Sequence, residues 1–199
     1  MSPKQHRGEV TVEQLLDAAL RVYGESGEQG LTVSAVTAAS GVSPGSLYHH
    51  FGSMDGLLTA LLMRWLERLL DRMVTALEHS DSARDGVRAL VEAYLAFIRD
   101  HRAAGLLLHS SRADELGMRE ARRIRDAQEA RLSPLSAWVS GHVESGEVAR
   151  LPVALLESLV LGPVIGVSRR WLTLGDVDLD AAAAVLPDRI WRSIAADPR

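Results

Sequence analysis

The segment SPGSLYHHFGSMDGLL, residues 43–58, sets helix starts and stops so close together that only packing against the rest of the chain can hold it. Gly41, just before it, suits a left-handed helix stop. Ser43 is a good N-cap, and Pro44 is favoured at the first helical position. Gly52 ends this helix and Ser53 caps the next. The helix between them is far shorter than the roughly 12–15 residues an isolated helix needs in water. Leu47 and Phe51, one turn apart, predict an inward face, with Val42 plugging the gap to the preceding helix. The outward face is then Gly45, Ser46, Tyr48, His49 and, at its edge, His50.

The flanking segments are also helical, and no β-hairpin signal interrupts them. Thr11 with Gln14 fits a capping box and Val10 with Leu15 a hydrophobic staple, so the first helix is expected to start at Thr11 and stop at Gly27. The second helix is expected from Thr32 to Gly41. A long helix follows over residues 54–78, with Leu57, Leu61, Trp65, Leu69 and Met73 on its apolar side. After the polar break HSDSARDG, Val87, Val91, Tyr94 and Ile98 form the next stripe, and a short apolar helix is expected around 105–110. Residues 114–131 alternate in charge, the mark of a solvated face. That helix is expected to run on through Leu135 and Trp138, with a kink at Pro134, and to close at Gly146. Residues 152–172 are apolar on more than one face, and the last helix, about 179–195, contains Pro187.

The chain has 199 residues, of which 47% are hydrophobic, enough for a real core. It has no cysteine, which excludes disulfides and thiolate metal sites. No apolar run reaches membrane-span length, and MSPKQHRGEV has no apolar signal region, so the expectation is a cytoplasmic protein with no membrane partner. The net charge of −4 argues against nucleic-acid binding by bulk electrostatics.

Two short helices joined by SGVS, with a glycine in the turn, have the form of a helix-turn-helix. In that motif the second helix enters the major groove and the first crosses the backbone. Ser and His can donate to phosphates, and Tyr offers a hydroxyl and a ring for thymine methyls. The bland alternative is an ordinary tight corner in an all-α protein. The run LTVSAVTAASGVSPGSLYHHFGSMDGLLTALL resembles the DNA-binding region of TetR-family transcriptional regulators over about residues 10–60. The matching points include Tyr23-Gly24-Glu25-Ser26-Gly27, Gly41-Val42-Ser43, Leu47-Tyr48, Phe51 and Ser53. The resemblance implies DNA contacts from Thr32, Ser34, Ser43, Gly45, Ser46, Tyr48, His49 and His50. Met54 stands where the family commonly has a lysine, and Gly45 offers no side chain for a base. In residues 1–60 the bases Lys4, Arg7 and Arg21 face the acids Glu9, Glu13, Asp17, Glu25, Glu28 and Asp55, a net acidic balance. Lys4 and Arg7 are expected to form a basic arm toward the minor groove.

The resemblance further implies an all-α architecture, a helix-turn-helix domain over 1–53 and a ligand-binding and dimerisation domain over 54–199. A helix-turn-helix reads paired half-sites as a two-fold dimer. On one helix Leu155, Leu156, Leu159, Val160, Val164 and Val167 are expected at the subunit interface. On the last helix Leu179, Ala183, Leu186 and Ile190 join them. The alternative is a central helix within one chain. A small-molecule pocket is implied among the central helices, with Trp65, Tyr94, Phe97, Ile98, His101, Trp138, His142 and Trp171 as its mixed-polarity candidates. No metal site or cofactor is expected. The expected function is a homodimeric repressor of palindromic operator DNA, released by a small-molecule effector and without catalysis. Two rivals stay open: an all-helical enzyme using His, Asp or Glu side chains, and a DNA-bound regulator answering to a protein partner.

Overall fold

A computed structural model describes residues 3–196. Among the described residues the structure is helical apart from turns and one isolated antiparallel bridge between Val148 and Ala195. In chain order the helices are α1 (Pro3–Gly30), α2 (Val33–Ser40), α3 (Pro44–Phe51), α4 (Met54–Glu78) and α5 (Ala83–Asp100). They continue with α6 (Arg102–Leu108), α7 (Ser111–Ala127), α8 (Glu129–Ser145), α9 (Val153–Thr173) and α10 (Leu179–Ile194). The fold is all-α, with the helix-turn-helix unit at the N-terminal end and the larger helical body after it.

The caps around α2 and α3 form as the sequence predicts. Thr32 Oγ1 accepts the Ala35 N–H at 3.2 Å, Ser43 Oγ the Ser46 N–H at 3.2 Å, and Ser53 Oγ the Gly56 N–H at 3.0 Å. Each such cap is worth about 1 kcal/mol. Gly41 and Gly52 turn the chain at φ 70° and 73°, where a side chain would be strained. Val36 and Leu47 are fully buried, and Val42 and Phe51 pack against the same core.

α1 departs from expectation at its start. The helix begins at Pro3, so Thr11 and Gln14 are interior positions and the backbone carrying Lys4 and Arg7 is helical, not an extended arm. Proline is at home in a first helical turn, and the Leu15, Ala18, Ala19, Val22 stripe continues from it. Gly27 interrupts the regular helix as expected, at φ 66° and ψ −167°.

The larger body is built on α4 and α5. Leu57 and Leu61 of α4, Val91 and Ile98 of α5 and Leu107 of α6 have essentially no exposure. Burying each contributes about 1.5–3 kcal/mol. Two glycines allow close approaches. A Cβ on Gly86 would fall 2.1 Å from the Trp138 ring, so its absence lets the α8 indole lie against α5. A Cβ on Gly24 would fall 2.9 Å from the Ala103 Cβ, so α1 rests directly on α6.

Two further expectations, the course of the helix after residue 114 and the start of the short apolar helix, shift. The helix after residue 114 breaks at Gln128, not at Pro134, which lies inside α8. Gln128, at the break, is 1% exposed and its Nε2 donates to Glu67 at 3.2 Å, a tertiary tie to α4. Pro187 is buried within an unbroken α10. The short apolar helix begins at Arg102, earlier than residue 105. Among the described residues no helix is long and apolar enough to cross a membrane.

Candidate nucleic-acid interface

The outward face of α3 is open. Gly45, Tyr48 and His49 lie at helical spacings of three and four and are exposed, with Tyr48 at 50%. Nothing lies near the position of a Gly45 side chain except Ser43 Oγ at 4.0 Å, so another backbone or a groove edge can come close there. Ser43 and Thr32 use their oxygens as cap acceptors, and each hydroxyl retains its proton to donate outward. Ser34 is exposed on the first turn of α2, and Ser46 is half-exposed. His50 lies at the edge of this group: its ring is 5.2 Å from that of His49 and 6.4 Å from Phe51, and its Cε1 is 3.8 Å from where a Gly8 side chain would begin.

The acidic balance of the first sixty residues is answered from outside them. Arg64 of α4, with its side chain 10% exposed, holds Glu13 and Asp17 of α1, each at 2.8 Å. Arg112 of α7 pairs with Asp55 and lies 3.8 Å from Glu28 and 3.7 Å from Glu115. Four of the six acids are thus engaged by guanidinium groups of the larger body, and none of the four lies on α3. Arg21 donates to the Ala39 carbonyl at 3.0 Å and so binds α1 to the end of α2. Burial raises the Tyr23 phenol above its ordinary range, against a smaller opposing pull from its hydrogen bond to Ser110. The reading unit is therefore fastened to the larger body along α1 and at the start of α4.

The residues expected around an effector fall into separate clusters. Trp65 and Phe97 are buried with ring centroids 6.0 Å apart, and His101 lies 4.8 Å from Phe97 and 5.1 Å from Trp65. Ile98 is fully buried in the same core. Tyr94 OH is 3.2 Å from His109 Nε2. Burial drives this phenol above its ordinary range and pushes the His109 imidazole down to about 4. Trp138 edges onto His142 at 4.6 Å, and His142 Nδ1 is 3.0 Å from Glu147 Oε1. The Glu147 carboxylate is held below its ordinary range, first by the Ala83 backbone N–H it accepts at 3.1 Å and then by His142. Trp171 lies under the Arg102 guanidinium at 5.8 Å. None of these eight residues lines the cavity of about 370 Å³ between α4 and α7, whose walls include Leu58, Leu62, Leu116, Arg112 and Arg119. Arg112 and Arg119 carry no signal in the sequence beyond alternating charge, which reads as solvated surface.

The residues expected between subunits also divide. Leu156, Val164, Leu179 and Ile190 are buried within this chain. Leu159, Val160, Val167, Ala183 and Leu186 are half-buried, and Leu155 is 45% exposed. Gly162 and Gly166 on the same helix face open space.

The fold and the capped, outward-facing α3 define an all-α protein with an N-terminal helix-turn-helix unit. Residues 15–61 match the family model described as bacterial regulatory proteins, tetR family. Over 89 residues the chain is 38% identical to the HTH-type transcriptional regulator BetI of Rhizobium meliloti, covering 45% of this chain and 44% of that protein. It therefore spans about half the length of that curated relative. Over 172 residues it is 23% identical to the fatty acid metabolism regulator protein of Bacillus subtilis, covering 85% and 87% of the two chains. A TetR family transcription regulator from Marinobacter aquaeolei VT8 superposes with a TM-score of 0.77 at 20% identity, over 97% of this chain and 100% of that one. FadR of Bacillus subtilis, solved in complex with stearoyl-CoA, gives 0.75 at 18% identity, over 89% and 96%. At such identities the structural likeness establishes the fold. Residues 15–61 are thus similar to the DNA-binding region of tetR-family regulatory proteins, and the chain as a whole shares the fold of solved TetR-family regulators.

Proposed function

We propose that the protein is a homodimeric repressor that reads a palindromic operator with one α3 from each copy and is released by a small-molecule effector. The observation that carries this reading is the α3 surface: a rigidly capped short helix whose inner residues are buried and whose outer residues, Gly45, Tyr48 and His49, are exposed. A two-fold pair of such helices reads half-sites one DNA turn apart. The exposed Leu155 and the open glycines of α9 support pairing through α9 and α10. The likeness to FadR, a protein solved with stearoyl-CoA, supports control by a small molecule. The relatives are named as regulators, which supports a role without catalysis. The test is selection of bound sequences from random duplex DNA by the purified full chain, followed by footprinting. The expected result is one enriched palindrome occupied by two chains. Retention of DNA with no enriched sequence, or a footprint without two-fold symmetry, overturns the reading.

A further inference from the structure

The cavity between α4 and α7 joins apolar and charged walls. Leu58, Leu62 and Leu116 line it together with the charged side chains of Asp55, Arg112, Glu115 and Arg119. Its volume, about 370 Å³, falls within the range of small-molecule sites. The two arginines differ in their engagement. Arg112 is shared among Asp55, Glu28 and Glu115, whereas Arg119 has no hydrogen-bond or ion-pair partner among the described residues. A guanidinium presents a planar fork of donors that matches a carboxylate, and an apolar wall favours a hydrocarbon body.

We propose that this cavity is the effector site, that it takes a small amphipathic carboxylate, and that the bound carboxylate competes with Asp55 for Arg112. The proposal deepens the effector-controlled reading above and rests on it. The hydrocarbon body lies against Leu58, Leu62 and Leu116, and the carboxylate is held by Arg119 and Arg112. Asp55 is the second residue of α4, immediately after the turn that ends α3, and Glu28 lies in the last turn of α1. Arg112 therefore ties α7 to both ends of the DNA-reading unit. An anion that draws Arg112 away loosens both ties at once. A ligand can shift such an equilibrium only by its differential affinity, and here the differential is the Arg112 carboxylate contact made in one state and lost to Asp55 in the other.

The experiment is calorimetric titration of the full chain, without DNA, with decanoate, decanol and decylamine below their aggregation concentrations. Decanoate is expected to bind about tenfold or more tightly than either of the others, the scale of a charge-assisted contact. Arg119→Gln, at an exposed position, is expected to weaken decanoate about tenfold and leave decanol unchanged. Asp55→Asn removes the internal competitor and is expected to tighten decanoate severalfold. Leu62→Trp fills the cavity and is expected to abolish binding while circular dichroism stays helical. Equal binding of decylamine or decanol, or decanoate binding indifferent to Arg119→Gln, overturns the site. Unchanged or weaker decanoate binding in Asp55→Asn overturns the competition. Because no step uses DNA, failure here leaves the operator reading standing, and failure of operator selection leaves this result standing.

Discussion

Arg169 Nη2 lies 2.7 Å from each carboxylate oxygen of Asp114, pinning α9 to the first turn of α7 two residues beyond Arg112. Behind this pair sit Tyr94 and His109. The His109 imidazole is held neutral first by burial, then by the Arg169 charge, against a smaller pull from Asp114. Its folded value of about 4 lies below the ordinary 6.5, so the unfolded chain binds the extra proton between those values. Stability contributed by the neutral ring is present above pH 6.5, declines as pH falls toward 4, and changes little below it. From pH 7 to pH 5 the loss is about 2 kcal/mol. Urea unfolding of the wild type and of His109→Gln at both pH values measures it. The variant is expected to lose less stability on acidification, and an equal loss in both proteins rejects the assignment.

Tyr48→Ala removes an exposed ring and hydroxyl from α3 while leaving Leu47 buried. Operator affinity is expected to fall by about 1–2 kcal/mol, roughly tenfold, with no change in thermal stability beyond about 0.5 kcal/mol. A binding titration on the selected operator, paired with a melting curve, decides it. Unchanged affinity in a folded variant removes Tyr48 from the contact surface.

Leu155→Glu tests subunit pairing without confusing it with folding. Leu155 is 45% exposed in the single chain, so a charge there costs a monomer within about 0.5 kcal/mol. Buried under a partner without a counter-charge, the same group is heavily penalised. The expected outcome in sedimentation velocity is a shift from dimer to folded monomer. A stable dimer with unchanged sedimentation places the interface elsewhere.

Gly86→Ala places a methyl group where the Trp138 ring now lies, 2.1 Å away. The ring must move or the helices must part, and overpacking of this kind costs about 1–3 kcal/mol. Urea unfolding gives the value, and tryptophan emission should shift as the indole is displaced. A variant as stable as the wild type, with unaltered emission, shows that α8 yields freely.

The helix-turn-helix was legible because its instructions are local. Thr32, Ser43 and Ser53 cap through hydroxyls acting three residues away, and Gly41 and Gly52 take backbone angles that other residues resist. The start of α1 was missed because Thr11 and Gln14 fit a capping box and an ongoing helix equally well. The break before α8 was not legible: the sequence offers a kink signal at Pro134 within one continuous helix, whereas the buried Gln128 beside the break bonds Glu67, 61 positions away. The aromatic and histidine residues expected around a ligand share the composition of a core, and Trp65, Phe97 and His101 are gathered into one. The α4–α7 cavity was hidden for the opposite reason. Arg112 and Arg119 look like any charged surface until the fold sets Asp55 and Leu58 beside them.

The contact between Gly24 and Ala103 has a bearing on how such a regulator diverges. α1 meets α6 there with no side chain on one partner and a single methyl on the other, so the tilt of the reading unit is set by an atom-sized spacer. Enlarging residue 103 would cant α3 relative to the body without altering any residue that faces DNA. In a homodimer of the kind proposed above, the separation of half-sites and the letters within them would therefore be written at different addresses in the chain. Under that reading, a lineage would change the geometry of its target through one small-to-large substitution on α6 and keep its base preferences intact.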